Sequence, residues 1–112
     1  MAKSNNIINL EMTRGDTKAF AVEIEGLDQD LDTAYLSCKH VAEDNEYVFQ
    51  KSLGDGISKV ETGKYRVRIA PADTENLDLG TYYYDLQIGV NGDIFTPMKG
   101  KLQLTYDITK EV

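Results

Sequence analysis

The sequence predicts an all-β chain, an immunoglobulin-like antiparallel β-sandwich of about seven or eight strands. Three observations carry that expectation. Apolar residues recur with period two along most of the chain, turn signals interrupt the alternation roughly every 8–12 residues, and one long alternating run closes on an Asn-Gly hairpin. A length of 112 residues suits one hydrophobic core. The expected unit is therefore a single domain over 1–112, with its ordered core at about 7–108.

The elements follow in order. Ile8, Leu10 and Met12 alternate with Asn9 and Glu11, which gives a half-buried opening strand over Ile7 to Met12. Arg14-Gly15-Asp16 supplies a turn, after which Phe20, Val22 and Ile24 alternate with Ala21, Glu23 and Glu25. Residues Gly26 to Asp32 read as an acidic loop. Ala34, Leu36 and Cys38 form the inner row of a third strand, with Tyr35, Ser37 and Lys39 outside, while the two faces of Glu46 to Lys51 are hard to separate. Gly54-Asp55-Gly56 leads into a strand over Ile57 to Glu61, and Thr62-Gly63 introduces another in which Tyr65, Val67 and Ile69 face inward. Pro71 to Leu77 has proline near its start and acids behind it, enough for one helical turn.

The strongest run is Thr81 to Val90, where Tyr82, Tyr84, Leu86, Ile88 and Val90 share a face. Asn91-Gly92 provides the two positive-φ positions of a tight hairpin. Pro97 cannot donate to a ladder and Gly100 tolerates a bend, so the final strand is expected to break there before Leu102, Leu104, Tyr106 and Ile108 resume the alternation. On this reading Ile94 to Lys99 is a protected edge. The opening strand, with Ile7, Asn9 and Glu11 on its outer face, has neither proline nor a run of charge and is the better edge for recruiting a partner.

Charge and composition narrow the function classes. Twelve basic and 19 acidic side chains give a net charge of −7, which repels a phosphate backbone, so nucleic acid is not an expected partner. Nowhere does an apolar run approach the ~18–20 residues of a membrane helix, and the first six residues lack the apolar stretch of a secretory signal. Neither a membrane nor export is expected. Cys38 is the only cysteine, which rules out an intrachain disulfide and suits a reducing cytoplasm.

Several residues invite a chemical reading. In Leu77-Asp78-Leu79-Gly80-Thr81-Tyr82 a tyrosine follows a glycine turn, the pattern of a tyrosine corner in which the hydroxyl returns to an upstream backbone group. Tyr82, Gly80 and Leu77, like Asn91 and Gly92, are thus assigned structural roles. Arg14-Gly15-Asp16 spells an integrin-binding tripeptide but sits where a turn is needed. Asp28, Asp30 and Asp32 open like a calcium loop, yet Thr33 stands where that loop needs glycine and Lys39 where it needs glutamate. Lys64, Arg66 and Arg68 form a basic stripe that reads first as a solvated face. Cys38 and His40 lie two apart on one strand, and no third group completes a nucleophilic set. The chain contains no phosphate-cradling glycine loop, zinc spacing or nucleophile elbow. No enzymatic activity, cofactor or metal is expected.

Taken in order, residues 8–17 around Thr13-Arg14-Gly15-Asp16-Thr17, then Gly63-Lys64-Tyr65, Pro71 to Leu77, and Leu79-Gly80-Thr81-Tyr82-Tyr83-Tyr84-Asp85-Leu86-Gln87 resemble one family. It is the amino-terminal immunoglobulin-like domain of siphophage baseplate upper proteins and related prophage tail domains. The resemblance covers nearly all of 7–108, including Gly100 to Leu104. It implies a non-enzymatic virion module, made in the bacterial cytoplasm, that anchors in the tail or baseplate by binding tail proteins or, as a homo-oligomer, other copies of itself. Without the helical linker and distal domain of a full baseplate protein in these 112 residues, the expectation is a small standalone protein or an excised module. From a different class, a carbohydrate-binding or adhesive sandwich would use outward tyrosines such as Tyr35 and Tyr83.

Overall fold

A computed structural model describes residues 6–108; residues 1–5 and 109–112 of the expected domain lie outside it. In chain order the described residues form β1 (Asn6–Ile7), β2 (Leu10–Thr13), β3 (Lys18–Glu23), β4 (Thr33–Lys39), β5 (Phe49–Leu53), β6 (Gly56–Glu61), β7 (Lys64–Ile69), the helical turn α1 (Pro71–Thr74), β8 (Gly80–Val90) and β9 (Asp93–Thr105). One layer has the order β1/β2, β9, β8, β4, β5, and the other β6, β7, β3. A two-residue parallel pairing, Ser52 with Gly56 and Leu53 with Ile57, joins the layers where the chain turns from β5 to β6.

Alternation builds the core. Leu36, Cys38, Leu86, Leu102 and Leu104 on one layer are buried with Val22, Ile57, Val67 and Ile69 on the other, in one continuous cluster. Each fully buried aliphatic side chain contributes about 1.5–3 kcal/mol relative to exposure, so these rows supply most of the driving force. Between the layers the Tyr65 hydroxyl accepts the Leu31 N–H at 3.1 Å, which anchors the acidic loop to the core. The β8–β9 hairpin closes as the alternation requires, with φ of 54° at Asn91 and 84° at Gly92.

Several expectations need correction. The fifth strand runs over Phe49–Leu53 instead of Glu46 to Lys51. Its faces were hard to separate because an inward position is a lysine. Lys51 is buried, and its ammonium reaches Asp73 of α1 at 3.0 Å. The last strand is continuous from Asp93 to Thr105: an extra residue between Phe95 and Met98 makes a bulge that accommodates Pro97 without ending the ladder. Nor is Ile94 to Lys99 simply an edge, because Met98 and Lys99 pair with β1. Finally, the sandwich is not wholly antiparallel, since β1 and β2 run parallel to β9.

The opening strand is also divided, and the cause is local. β1 and β2 hold one register against β9, Ile7 opposite Lys99 and Leu10 opposite Leu102, so no residue is inserted between them. At the gap the Ile8 N–H still donates to the Lys99 carbonyl at 2.8 Å. The Ile8 carbonyl, however, accepts the Tyr84 hydroxyl at 2.5 Å instead of a β9 amide. Asn9 compensates: its side-chain oxygen takes the Lys101 N–H at 3.0 Å. Gly100 permits this arrangement, because a Cβ there would collide with the Ile8 carbonyl. Its role is close approach and not the strand break expected of it.

Gly100→Ala is expected to lower stability by about 1–3 kcal/mol, the usual cost of forcing extra volume into a packed site. Denaturant unfolding of the variant beside the parent chain, with circular dichroism to establish that the sheet is retained, checks this. An unchanged midpoint for Gly100→Ala would refute the close-approach account.

Candidate functional site

At one end of the sandwich the corner and the first turn lock together. Tyr82 donates its hydroxyl to the Asp78 carbonyl at 2.6 Å, four residues upstream across Gly80. Burial, with Asp78 and Cys38 nearby, raises the Tyr82 phenol above its ordinary value, so it remains a donor. Arg14 forks onto one oxygen of Asp107, at 3.2 Å from Nε and 3.0 Å from Nη2, and its third nitrogen donates to the Leu77 carbonyl at 3.1 Å. Gly15 donates its N–H to the buried Thr74 hydroxyl at 2.8 Å. The Arg-Gly-Asp tripeptide is thus a turn whose guanidinium is already engaged, and the one helical turn serves as its seat.

The other candidates are also accounted for by the fold. Cys38 is wholly buried, and desolvation pushes its thiol up to about 12, which holds it protonated and inert. His40 packs edge-on against Tyr82 with ring centres 5.6 Å apart. In the acidic loop Asp30 meets Lys59 at 2.7 Å and Asp32 accepts the Asn91 N–H at 3.0 Å, so these carboxylates serve separate contacts. Among the described residues no cluster of three or more histidine, cysteine or acidic side chains could hold a metal ion. No described helix is long and apolar enough to cross a membrane. Arg66 and Arg68 of the basic stripe are exposed on β7, with Ala21 and Ala19 of β3 opposite them.

A surface that the sequence only hinted at lies on the outer face of the layer β1/β2, β9, β8, β4, β5. Cross-strand register sets Tyr35 beside Gln87, Ser37 beside Asp85 and Gln50, and Lys39 beside Tyr83. The next strand places Lys99 beside Asp85 and Lys101 beside Tyr83, with exposed Ile7 beyond Lys99. Tyr47 is half exposed at the margin, with the Lys39 ammonium 5.5 Å from its ring centre. The result is a shallow groove with a tyrosine-rich floor and lysines around it. Tyr35, Ser37, Lys39 and Tyr83 are legible in the sequence as outward residues; Gln50, Asp85, Gln87, Lys99 and Lys101 are not singled out there, because only strand pairing makes them neighbours. Of the expected edge residues, Ile7, Asn9 and Glu11 are all exposed, but Asn9 already spends its oxygen on Lys101.

Fold and site together define a small β-sandwich with an exposed aromatic sheet face. No family model matches the chain, and no curated protein matches it. Among solved structures it is similar to a marsupial T cell receptor, with a TM-score of 0.58 at 10% identity. That superposition covers 100% of this chain, which spans 56% of the receptor chain. The likeness shows the fold, an immunoglobulin-like β-sandwich.

Tyr82→Phe deletes only the corner hydrogen bond and is expected to cost about 0.5–1.5 kcal/mol with secondary structure retained. Chemical denaturation measures it; an unaltered midpoint and slope would count against the corner's contribution. Asp85 gives a pH-dependent expectation. Burial holds its carboxyl above the ordinary value of 3.8, with Lys39 and Lys99 pulling in the opposite direction. The folded chain then binds the extra proton, so this group's stabilising contribution is full below the unfolded value and is lost as pH rises through the folded one. Asp85→Asn should raise the unfolding midpoint at neutral pH and lose that advantage as pH falls below about 4. A gap that widens on acidification would contradict the assignment.

Proposed function

We propose that the chain is a non-catalytic structural module of a phage or prophage virion, docked in the tail or baseplate by contacts with tail proteins or with further copies of itself. The observation that supports docking best is the outer sheet face, where Tyr35 and Tyr83 stand between Lys39, Lys99 and Lys101 with Ile7 exposed at the border. Rigid aromatic side chains that keep a polar tip in water are the residues protein interfaces favour. The ordered resemblance over residues 7–108 supports the virion setting. Neither nucleic acid nor a membrane is among the proposed partners.

A second reading rests on the same face. Tyr35, Tyr47 and Tyr83 with Gln50, Asp85 and Gln87 bring flat rings and hydrogen-bonding groups into one groove, the chemistry by which a sandwich holds a saccharide. Co-expression with the proteins encoded by the genes on either side of this one, followed by size-exclusion of the identified complex, separates the two. Ile7→Asp and Tyr83→Ser are each expected to weaken tail-protein binding by about tenfold or more, a loss of at least ~1.4 kcal/mol. Saccharide binding that disappears with Tyr83→Ser, in a chain that forms no complex with any tail protein, would replace the docking reading.

A further inference from the structure

The outward face is not the only surface left open. In the seven-strand immunoglobulin arrangement the first strand lies beside the second, in a four-stranded layer. Here the opening strand is taken by β9, so the layer β6, β7, β3 has three strands among the described residues, and β3 is its edge. The Ile24 N–H donates to the Gly63 carbonyl at 2.8 Å, which sets the alternation: Phe20 and Val22 turn their backbone groups toward β7, while Ala19, Ala21 and Glu23 turn theirs outward. Among the described residues no strand, proline or bulge shields this edge. The middle of β3 is Ala-Phe-Ala-Val, without proline or bulge, and its charges stand only at the ends, Lys18 and Glu23. Two exposed alanines leave an approaching backbone unobstructed.

Beside this edge runs an apolar groove between the two layers. Ile8, Leu10 and Pro97 line it from one layer, and Phe20 and Ile24 from the side of β3. Ile8 is 42% exposed although it stands in the inward row of the sequence pattern. Around the β6–β7 turn, where β3 ends, Glu23, Glu25 and Glu61 face a single Lys64, so that end of the groove is acidic. A chain with net charge −7 also resists close approach by its own copies.

We infer that β3 is a strand-addition site for an extended segment of another protein, one that alternates apolar side chains and carries lysine or arginine at one end. Main-chain hydrogen bonds to Ala19, Ala21 and Glu23 extend the three-stranded layer. Alternate side chains of the incoming segment fill the groove between Ile8, Leu10, Phe20 and Ile24, and its cationic end meets Glu23, Glu25 and Glu61. This surface is separate from the tyrosine face, and the inference does not depend on the virion reading.

The test uses a synthetic peptide slightly longer than β3, alternating valine with threonine and ending in two lysines, against a scrambled peptide in which the alternation is broken. Amide hydrogen exchange should show Ala19, Ala21 and Glu23 gaining protection with the alternating peptide only. Ala21→Pro, which removes an outward N–H that β7 does not use, should weaken binding by about tenfold or more. Ile8→Glu, which changes the groove wall and no β3 backbone group, should do the same if Ala21→Pro proves unstable. Tyr83→Ser should leave peptide binding unchanged, which separates this site from the docking face. The inference is overturned if neither peptide binds, if protection appears at Glu11 and Thr13 instead of β3, or if the β3 amides become protected with rising protein concentration alone, since a second copy would then be the occupant.

Discussion

The hydrogen bond from the Tyr84 hydroxyl to the Ile8 carbonyl is the contact on which the shape of this sandwich turns. It draws one carbonyl of the opening strand out of the ladder, and that is tolerable only because Asn9 supplies a substitute acceptor and Gly100 has no Cβ to obstruct it. A buried tyrosine hydroxyl left without a partner costs about 1–3 kcal/mol, so the three residues stand or fall together. Burial lifts the Tyr84 phenol to about 12, so it donates at every ordinary pH. Holding β1 and β2 on β9 then delivers Arg14 to Asp107 and Leu77, ties the first turn to the corner, and leaves β3 without a neighbour on its outer side.

Polar groups inside this small protein are placed in the same economical way. Among the described residues no buried side-chain nitrogen or oxygen lacks a hydrogen-bond partner. Lys51 illustrates how. An unpaired ammonium at an inward position would be strongly unfavourable, but Asp73 sits opposite, and Asp73 in turn accepts the Ala70 N–H at 2.7 Å and so starts the helical turn. That turn presents Thr74 to Gly15. A lysine on β5, an aspartate on α1 and a threonine on the same turn therefore link the joint between the layers to the tyrosine corner.

What could be read from the sequence was whatever depends on neighbours a few residues apart. The inward row Tyr82, Tyr84, Leu86, Ile88, the Asn91-Gly92 hairpin and the corner sequence around Gly80 each carry their own geometry, and each was legible. The role of Gly100 is not legible locally, because its reason lies 92 residues away in the fold's register, in the carbonyl of Ile8. Pro97 gives no sign of which it makes, because a bulge and a break leave the same local trace, and only the pairing of β9 with β8 distinguishes them. Parallel pairing of the first and last strands has no sequence signal at all. The candidate surfaces followed the same rule: Tyr35 and Tyr83 were visible as outward residues, whereas the grouping with Asp85, Gln87 and Lys99, and the openness of β3, required the strand order.

The two surfaces differ in the kind of recognition they can provide. On the tyrosine face, affinity must come from side chains already held rigid by the sheet, so little rotamer entropy is lost on contact and shape decides the partner. Along β3 the backbone supplies affinity to any extended chain, and discrimination falls to the groove and its acidic end. An open edge with an apolar groove is also an aggregation hazard for an isolated sandwich. Here the hazard is contained by charge more than by shape, because the carboxylates at the end of the groove and the net charge of −7 oppose the approach of identical copies while favouring a cationic strand. The edge is thus selective through electrostatics, and the placement of the opening strand on β9 is what makes it available.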